Sequence, residues 1–203
     1  MANVQAGPRA NILQSRYYSE DELKDFGFKS LGTNVRISSD ARIYGAERIC
    51  IGSNVRIDDF TMLATGPGYI NIGDYVMICR CCNLSGTFGI EIGDFSSMAA
   101  NTVIYSASDD YSGEYLTNQI LPHEYTKYLG GKVEIGRHVI IGASSVILGK
   151  STIGDGCSLG ALTLVMSDLD AWGVYVGAPA RKLKERKRDL LELERKFLNE
   201  AGD

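Results

Sequence analysis

An aliphatic residue returns at every sixth position through most of this 203-residue chain, and that register limits the fold more than any other feature. One run is Leu31, Ile37, Ile43; the next is Ile51, Ile57, Leu63. Ile72, Ile78, Leu84 and Ile92, Met98, Ile104 follow, and after an interruption the pattern resumes as Ile135, Ile141, Ile147 and Ile153, Leu159, Val165. An Ile-Gly or Leu-Gly pair opens each run, and successive runs start 20, 21, 20, 43 and 18 residues apart. Four residues after each aliphatic comes a small or β-branched residue, such as Val55, Thr61, Val76, Cys82, Ser96, Thr102, Ser145, Cys157 and Thr163. Three hexapeptides, about 18 residues, make one coil of three short strands, and stacked coils share one continuous core. A sandwich or ordinary barrel would instead show alternating strands with independent turns.

Composition fits this reading. The 18 isoleucines and 11 valines fill the interior, and the 23 glycines, against only 4 prolines, are expected mainly at the sharp corners, where Gly or Asn is tolerated. Residues beyond 18 per coil read as small corner insertions, at Gly45-Ala46 and at Thr65-Gly66-Pro67-Gly68. A hydrophobic content of 44% with a net charge of −4 excludes a disordered chain. No apolar run reaches the roughly 18 residues of a membrane span, and the N-terminus lacks an apolar signal core, so a cytoplasmic protein is expected. The mildly acidic balance argues against nucleic acid as a partner.

The five cysteines are Cys50, Cys79, Cys81, Cys82 and Cys157. An odd number with three in one cluster reads as reduced thiols rather than a disulfide framework. A zinc site would need two separated pairs or added histidines, so no metal is expected and the cysteines read as small apolar filler.

The coil interrupted after Ile104 carries an insertion from Ser106 to Lys132, polar and rich in tyrosine. A long loop inside a compact repeat is usually functional. Ser19-Glu20-Asp21-Glu22 is a capping-box pattern and predicts a short helix ending near Gly27. Leu183, Leu190, Leu191, Leu193 and Phe197, with charges between them, predict an amphipathic helix from Arg181 onward that covers the open end of the solenoid. The expected layout is an N-terminal arm over 1–30, coils over 31–105, the inserted loop over 106–132, coils over 133–180 and a C-terminal helix over 181–203.

The repeat ends in Val176-Gly177-Ala178-Pro179-Ala180-Arg181. With the hexapeptides before it, this segment resembles the left-handed parallel β-helix acyltransferases that use coenzyme A, over roughly residues 31–184. The resemblance implies an all-β solenoid, a left-handed parallel β-helix of about six coils, assembled as a homotrimer whose inserted loop reaches towards a neighbouring subunit. It places Ala143, Ala161, Met166 and Ser167 along acetyl-CoA or another acyl-CoA, and Arg181 and Lys184 at its phosphates. Guanidinium suits phosphate through paired hydrogen bonds. Relatives often carry Thr-Lys where this chain has Met166-Ser167, so one cation is missing there.

A second departure concerns the base. Sugar O-acetyltransferases of this family carry a histidine at the start of the inserted loop, able to take a hydroxyl proton near neutral pH. Here that position falls at or near Asp109, and the only histidines are His123, in the loop, and His138, on the wall. An amine acceptor needs no strong base, and a carboxylate can orient it. Ser106-Ala107-Ser108-Asp109-Asp110-Tyr111, followed by Gly113-Glu114-Tyr115-Leu116-Thr117, also resembles acyltransferases acting on nucleotide-linked 4-amino-4,6-dideoxyhexoses. By that resemblance Asp109 and Asp110 orient the amine, while Asn83, Ser85, Asp94 and Glu114 contact the nucleotide sugar. The implied activity is acyl transfer to a nucleotide-activated amino sugar for surface polysaccharide (lipopolysaccharide O-antigen) assembly. Two alternatives stay open: sugar O-acetylation with His123 as base, and an inactive hexapeptide-repeat scaffold.

Overall fold

Each hexapeptide supplies one strand of two or three residues, and equivalent strands of successive coils pair in parallel. The computed structural model describes residues 16–118 and 120–201, so half of the expected N-terminal arm lies outside the described residues. The first wall stacks Ser30–Leu31, Ile49–Ile51, Ile70–Ile72, Ile90–Ile92, Val133–Ile135 and Thr152–Ile153. The second stacks Arg36–Ile37, Arg56–Ile57, Met77–Ile78, Ser97–Met98, Ile140–Ile141, Ser158–Leu159 and Gly173–Val176. The third stacks Arg42–Tyr44, Met62–Ala64, Asn83–Ser85, Val103–Tyr105, Val146–Leu148 and Leu164–Val165. Six complete coils and part of a seventh result, the architecture of a left-handed parallel β-helix.

The sixth-position aliphatics are all buried except Leu31 and Ile43, which are half-buried in the first coil. Each full burial contributes about 1.5–3 kcal/mol. The small inward positions are buried too, and the hydroxyls of Thr61, Ser96, Thr102, Ser145 and Thr163 find backbone partners, whereas Ser151 Oγ has none among the described residues. Ser96 Oγ donates to the Gly136 carbonyl at 2.9 Å and accepts from Val139 N at 3.1 Å. Cys82 and Cys157 fill this slot as apolar packing.

Glycine plays the expected corner part at some positions, Gly45, Gly66, Gly89 and Gly156 being left-handed, but most left-handed corner positions of the first two corners are other residues: Asn34, Asn54, Tyr75, Phe95 and His138 at the first, and Phe60, Cys81, Asn101, Ser144 and Leu162 at the second. The repeat glycines instead allow close approach of neighbouring coils. A Cβ on Gly93 would stand 2.7 Å from Gly136 C, and one on Gly73 would collide with Asp94 Oδ1. That carboxylate must be there, because it accepts from Asp74 N of the coil below at 2.9 Å. Asp74 caps Ser53 N at 2.6 Å and Asp155 caps Arg137 N at 2.8 Å in the same way. The side chains at the first corner stack in their turn: Tyr75 on Phe95 at 4.7 Å, and Phe95 on His138 at 5.2 Å between centroids.

The C-terminal segment departs from the expectation twice. Arg181–Glu185 is a strand, antiparallel to Gly173–Val176, because the last strand of the second wall otherwise leaves its backbone edge unpaired. The helix begins only at Leu190 and runs to Ala201; it packs along the side of the solenoid instead of over its end. Phe197 meets the Tyr75 ring edge-on at 5.4 Å, and Glu194 pairs with Arg137 and lies 2.9 Å from His138 Nε2. The link before the helix is pinned by Arg186 Nη1, which donates to the carbonyls of His138, Gly156 and Cys157 at 2.7, 3.0 and 3.1 Å. At the other end, the helix Glu20–Asp25 is closed by its capping box, Ser19 N donating to Glu22 Oε2 at 2.8 Å, and Gly27 follows at φ +71°.

The inserted loop leaves at Ser106, runs out as Ala107–Asp109 and returns as the antiparallel strand Tyr128–Gly130. A single helical turn, His123–Tyr125, lies between them. Among the described residues no helix is long and apolar enough to cross a membrane.

Two outcomes are expected. Gly73→Ala should lower stability by about 1–3 kcal/mol in urea unfolding, through overpacking between coils; an unchanged midpoint would show that glycine does not set their spacing. Burial pushes the Cys82 thiol up to about 11 and raises that of Cys157, whereas Cys81 is exposed. Alkylation at about pH 8 should therefore label Cys81 in the folded protein and spare Cys82 and Cys157 until it unfolds.

Candidate active site

Where the loop stem rises from the third wall it encloses a cavity of about 680 Å³. Ser85 and Tyr105, neighbours in register on adjacent strands, form its floor. Thr87 and Phe88, together with the Gly66-Pro67 corner insertion, form one side. The loop supplies Ala107, Ser108, Asp109, Tyr111, His123 and Tyr128. Three residues singled out in the sequence, Ser85, Asp109 and His123, therefore meet in one place.

Asp109 is half-buried, opposite Tyr128 in the loop's strand pair. Its backbone carbonyl accepts from Ser108 Oγ at 2.8 Å, but its carboxylate has no hydrogen-bond partner among the described residues. A carboxylate in a partly dry, aromatic-walled cavity gains from a cationic or N–H partner brought by a ligand.

Asp110 is used differently. It is 4% exposed, and its Oδ2 accepts from Ser112 Oγ at 2.5 Å and Ser112 N at 3.2 Å. This is an Asx turn that shapes the loop, and the residue does not line the cavity. Glu114 is exposed beyond it, its N–H donating to Ser112 Oγ at 3.1 Å. Asp94 sits at the first corner, capping Asp74 N and lying 3.5 Å from Arg137 Nε, away from the cavity. Asn83 is on the third wall between Met62 and Val103, and its Oδ1 is buried without a partner among the described residues. His138 is a packing residue, held between the Phe95 ring and Glu194.

The positions expected along the coenzyme gather near the C-terminal coils. Ala143 and Ala161 stack at the second corner, where Leu162 N donates to the Ala143 carbonyl at 2.9 Å. Met166 and Ser167 are exposed just beyond the last strand of the third wall. The turn preceding Arg181 is tied to that strand by Leu164 N to the Gly177 carbonyl at 3.0 Å and Ala180 N to the Leu164 carbonyl at 2.8 Å. Arg181 and Lys184 are exposed, and among the described residues neither pairs with a carboxylate. Lys182, by contrast, is committed to Glu185 at 2.7 Å. Among the described residues no group of three or more His, Cys, Asp or Glu side chains could hold a metal ion.

Sequence reasoning passed over Thr87, Phe88, Tyr105 and Ser108 as cavity residues. The pattern could have found them, because Tyr105 stands two coil positions above Ala64 and one above Ser85, where the insertion begins.

The family described as "Bacterial transferase hexapeptide (six repeats)" matches residues 128–166. A dTDP-4-amino-4,6-dideoxy-D-glucose acyltransferase of Escherichia coli is 44% identical over 188 residues, covering 92% of this chain and 98% of that protein. The chain belongs to the hexapeptide-repeat acyltransferases. Among solved structures, AntD, an N-acyltransferase from Bacillus cereus, in complex with dTDP and 3-hydroxybutyryl-CoA is 44% identical, with a TM-score of 0.90. The match covers 94% of this chain and 100% of that one. A serine-to-alanine variant of AntD, in complex with dTDP-4-amino-4,6-dideoxyglucose and coenzyme A, is 45% identical with a TM-score of 0.89, over 92% of this chain and 100% of that one. The likeness to these relatives thus spans nearly the whole of this hexapeptide-repeat acyltransferase.

Proposed function

We propose that the chain transfers an acyl group, acetyl or a close homologue, from acyl-CoA to the amino group of a dTDP-linked 4-amino-4,6-dideoxyhexose. The observation that carries this reading is the Asp109 carboxylate, which lines the cavity and has no hydrogen-bond partner among the described residues. The E. coli and B. cereus relatives, named for or bound to the same classes of ligand, support it.

In this reading Asp109 accepts a hydrogen bond from the sugar amine and aims its lone pair at the thioester carbonyl carbon. The C–N bond forms, the tetrahedral intermediate collapses and the C–S bond breaks. The proton lost by nitrogen balances the charge on the departing thiolate, giving amide and free coenzyme A. Asp110 acts at one remove, by holding the turn that follows Asp109. Ser85 contributes a hydroxyl at the cavity floor, and Asn83, two residues earlier on the same outer face, offers an amide oxygen still in need of a donor. Arg181 and Lys184 meet the coenzyme phosphates beside the small Ala143 and Ala161 corners, while Met166 and Ser167 border the path.

The working form in this reading is a homotrimer with sites between neighbouring copies. The outer face of the third wall supports it: Val103, Val146 and Leu164 form an apolar column above Asn83, with Met62 below it, flanked by exposed Phe60, Leu162 and Met166. Such a face is what a second copy would cover. Its place is the cytoplasm, where acyl-CoA is available and five cysteines stay free, and its product feeds surface polysaccharide assembly.

His123 shares the cavity, which keeps sugar O-acetylation as a second reading. Release of free coenzyme A separates the two. Wild type should release it with dTDP-amino sugars and not with their hydroxyl analogues. Asp109→Asn should lower kcat/KM for the amino sugar by about a hundredfold or more, with Asp110→Asn milder and His123→Ala close to wild type. Loss of turnover in His123→Ala, with Asp109→Asn intact, would favour the O-acetylation reading. Arg181→Ala and Lys184→Ala should each weaken coenzyme A binding about tenfold by calorimetry and leave dTDP binding unchanged.

A further inference from the structure

At the corner between the third and first walls, one column of residues reads Gly45, Thr65, Gly86, Ser106, Gly149 from coil to coil. Only two of these five carry side chains, Thr65 and Ser106, and the long loop follows Ser106 directly. Ser106 is fully buried, and its hydroxyl makes two bonds. It donates to the Ser85 carbonyl at 2.9 Å and accepts from Phe88 N at 2.9 Å. Ser106 N also donates to the Ser85 carbonyl at 3.0 Å, and the Ser106 carbonyl accepts from Gly131 N at 2.9 Å, where the loop returns. One residue therefore joins the floor of the cavity, its Phe88 side, the outgoing stem three residues before Asp109, and the incoming stem.

We infer that Ser106 is a positioning residue for acyl transfer: its hydroxyl buckles the loop stem to the cavity floor and so sets where the Asp109 carboxylate stands. The inference rests on the proposed N-acyl transfer for its kinetic arm only. Removing the hydroxyl leaves the Phe88 N–H without its acceptor and frees the stem to shift relative to Ser85. Threonine should restore the function, because Thr65 already fills the same slot one repeat pair earlier. Thr65 is fully buried there, with Oγ1 3.5 Å from the Tyr44 carbonyl and accepting from Arg48 Nε at 3.3 Å.

The test compares Ser106→Ala, Ser106→Thr, Asp109→Asn and the Ser106→Ala/Asp109→Asn double variant in the full-length protein, with acyl-CoA and a dTDP-4-amino-4,6-dideoxyhexose. Ser106→Ala should lower kcat and raise KM for the amino sugar, together about tenfold or more in kcat/KM, with KM for acyl-CoA within about twofold of wild type. Ser106→Thr should recover most of that loss. The double variant should be no worse than Asp109→Asn alone, within about twofold, since both changes remove one carboxylate contact. Amide exchange over 107–109 and 128–131 should quicken in Ser106→Ala and not in Ser106→Thr, while the coils stay protected. Should Ser106→Ala fail to fold, Ser106→Cys, which keeps the volume and weakens the bonds, takes its place with the same expectations at smaller size. A lower melting temperature with unchanged kinetics and unchanged stem exchange would reduce Ser106 to packing and overturn the inference. A wild-type enzyme that acylates no amino sugar would overturn the proposed function instead, and the exchange comparison would still decide for or against the buckle.

Discussion

Every coil depends on how closely its backbone can approach the next at the first corner. Glycine at Gly52, Gly73, Gly93 and Gly136 removes the side chain that would hold the coils apart, and at Gly52, Gly73 and Gly136 an aspartate from the neighbouring coil fills the space with a hydrogen bond. With that spacing set, three walls of parallel strands keep one register from Ser30 to Val176. Residues about twenty apart in sequence then become vertical neighbours. The cavity exists because Pro67, Phe88 and Ser108, from three successive coils, leave the solenoid at one corner and at adjacent heights.

The same spacing explains why, among the described residues, twelve non-glycine residues of the coils tolerate positive φ. Left-handed backbone costs roughly 1–2 kcal/mol for such residues. At the first corner the cost is offset by stacking: Asn34 Nδ2 donates to Asn54 Oδ1 at 2.8 Å, and Tyr75, Phe95 and His138 form a column of rings. The C-terminal helix rests on that column. Its side-on position follows from the rings, which offer an apolar seat, whereas the open end is already covered by the strand Arg181–Glu185.

Much of this was legible in the sequence. A six-residue period identifies the coils and their interior, because burial repeats whenever geometry repeats. It does not reveal what Arg181–Glu185 does, since a strand edge left by Gly173–Val176 is a tertiary demand that overrides the amphipathic pattern of Leu183 with Leu190. The carboxylates show the same limit. Asp94 belongs to Ile-Gly-Asp, which recurs at Asp74 and Asp155, and that recurrence marks it as a corner cap. Asp110 has Ser112 two residues on, the partner of an Asx turn. Asp109 has neither signature, and it is the one left facing the cavity. His138 occupies the slot of Tyr75 and Phe95, so its ring packs where theirs do.

In the proposed reaction Asp109 holds the acceptor amine. A crystal structure of the complex with coenzyme A and a dTDP-4-amino-4,6-dideoxyhexose tests it most directly. The expected result is the amine nitrogen about 2.7–3.2 Å from an Asp109 carboxylate oxygen, inside the cavity bounded by Ser85, Phe88 and Tyr128. An amine seated against His123 with Asp109 unengaged, or a sugar bound outside this cavity, would contradict it.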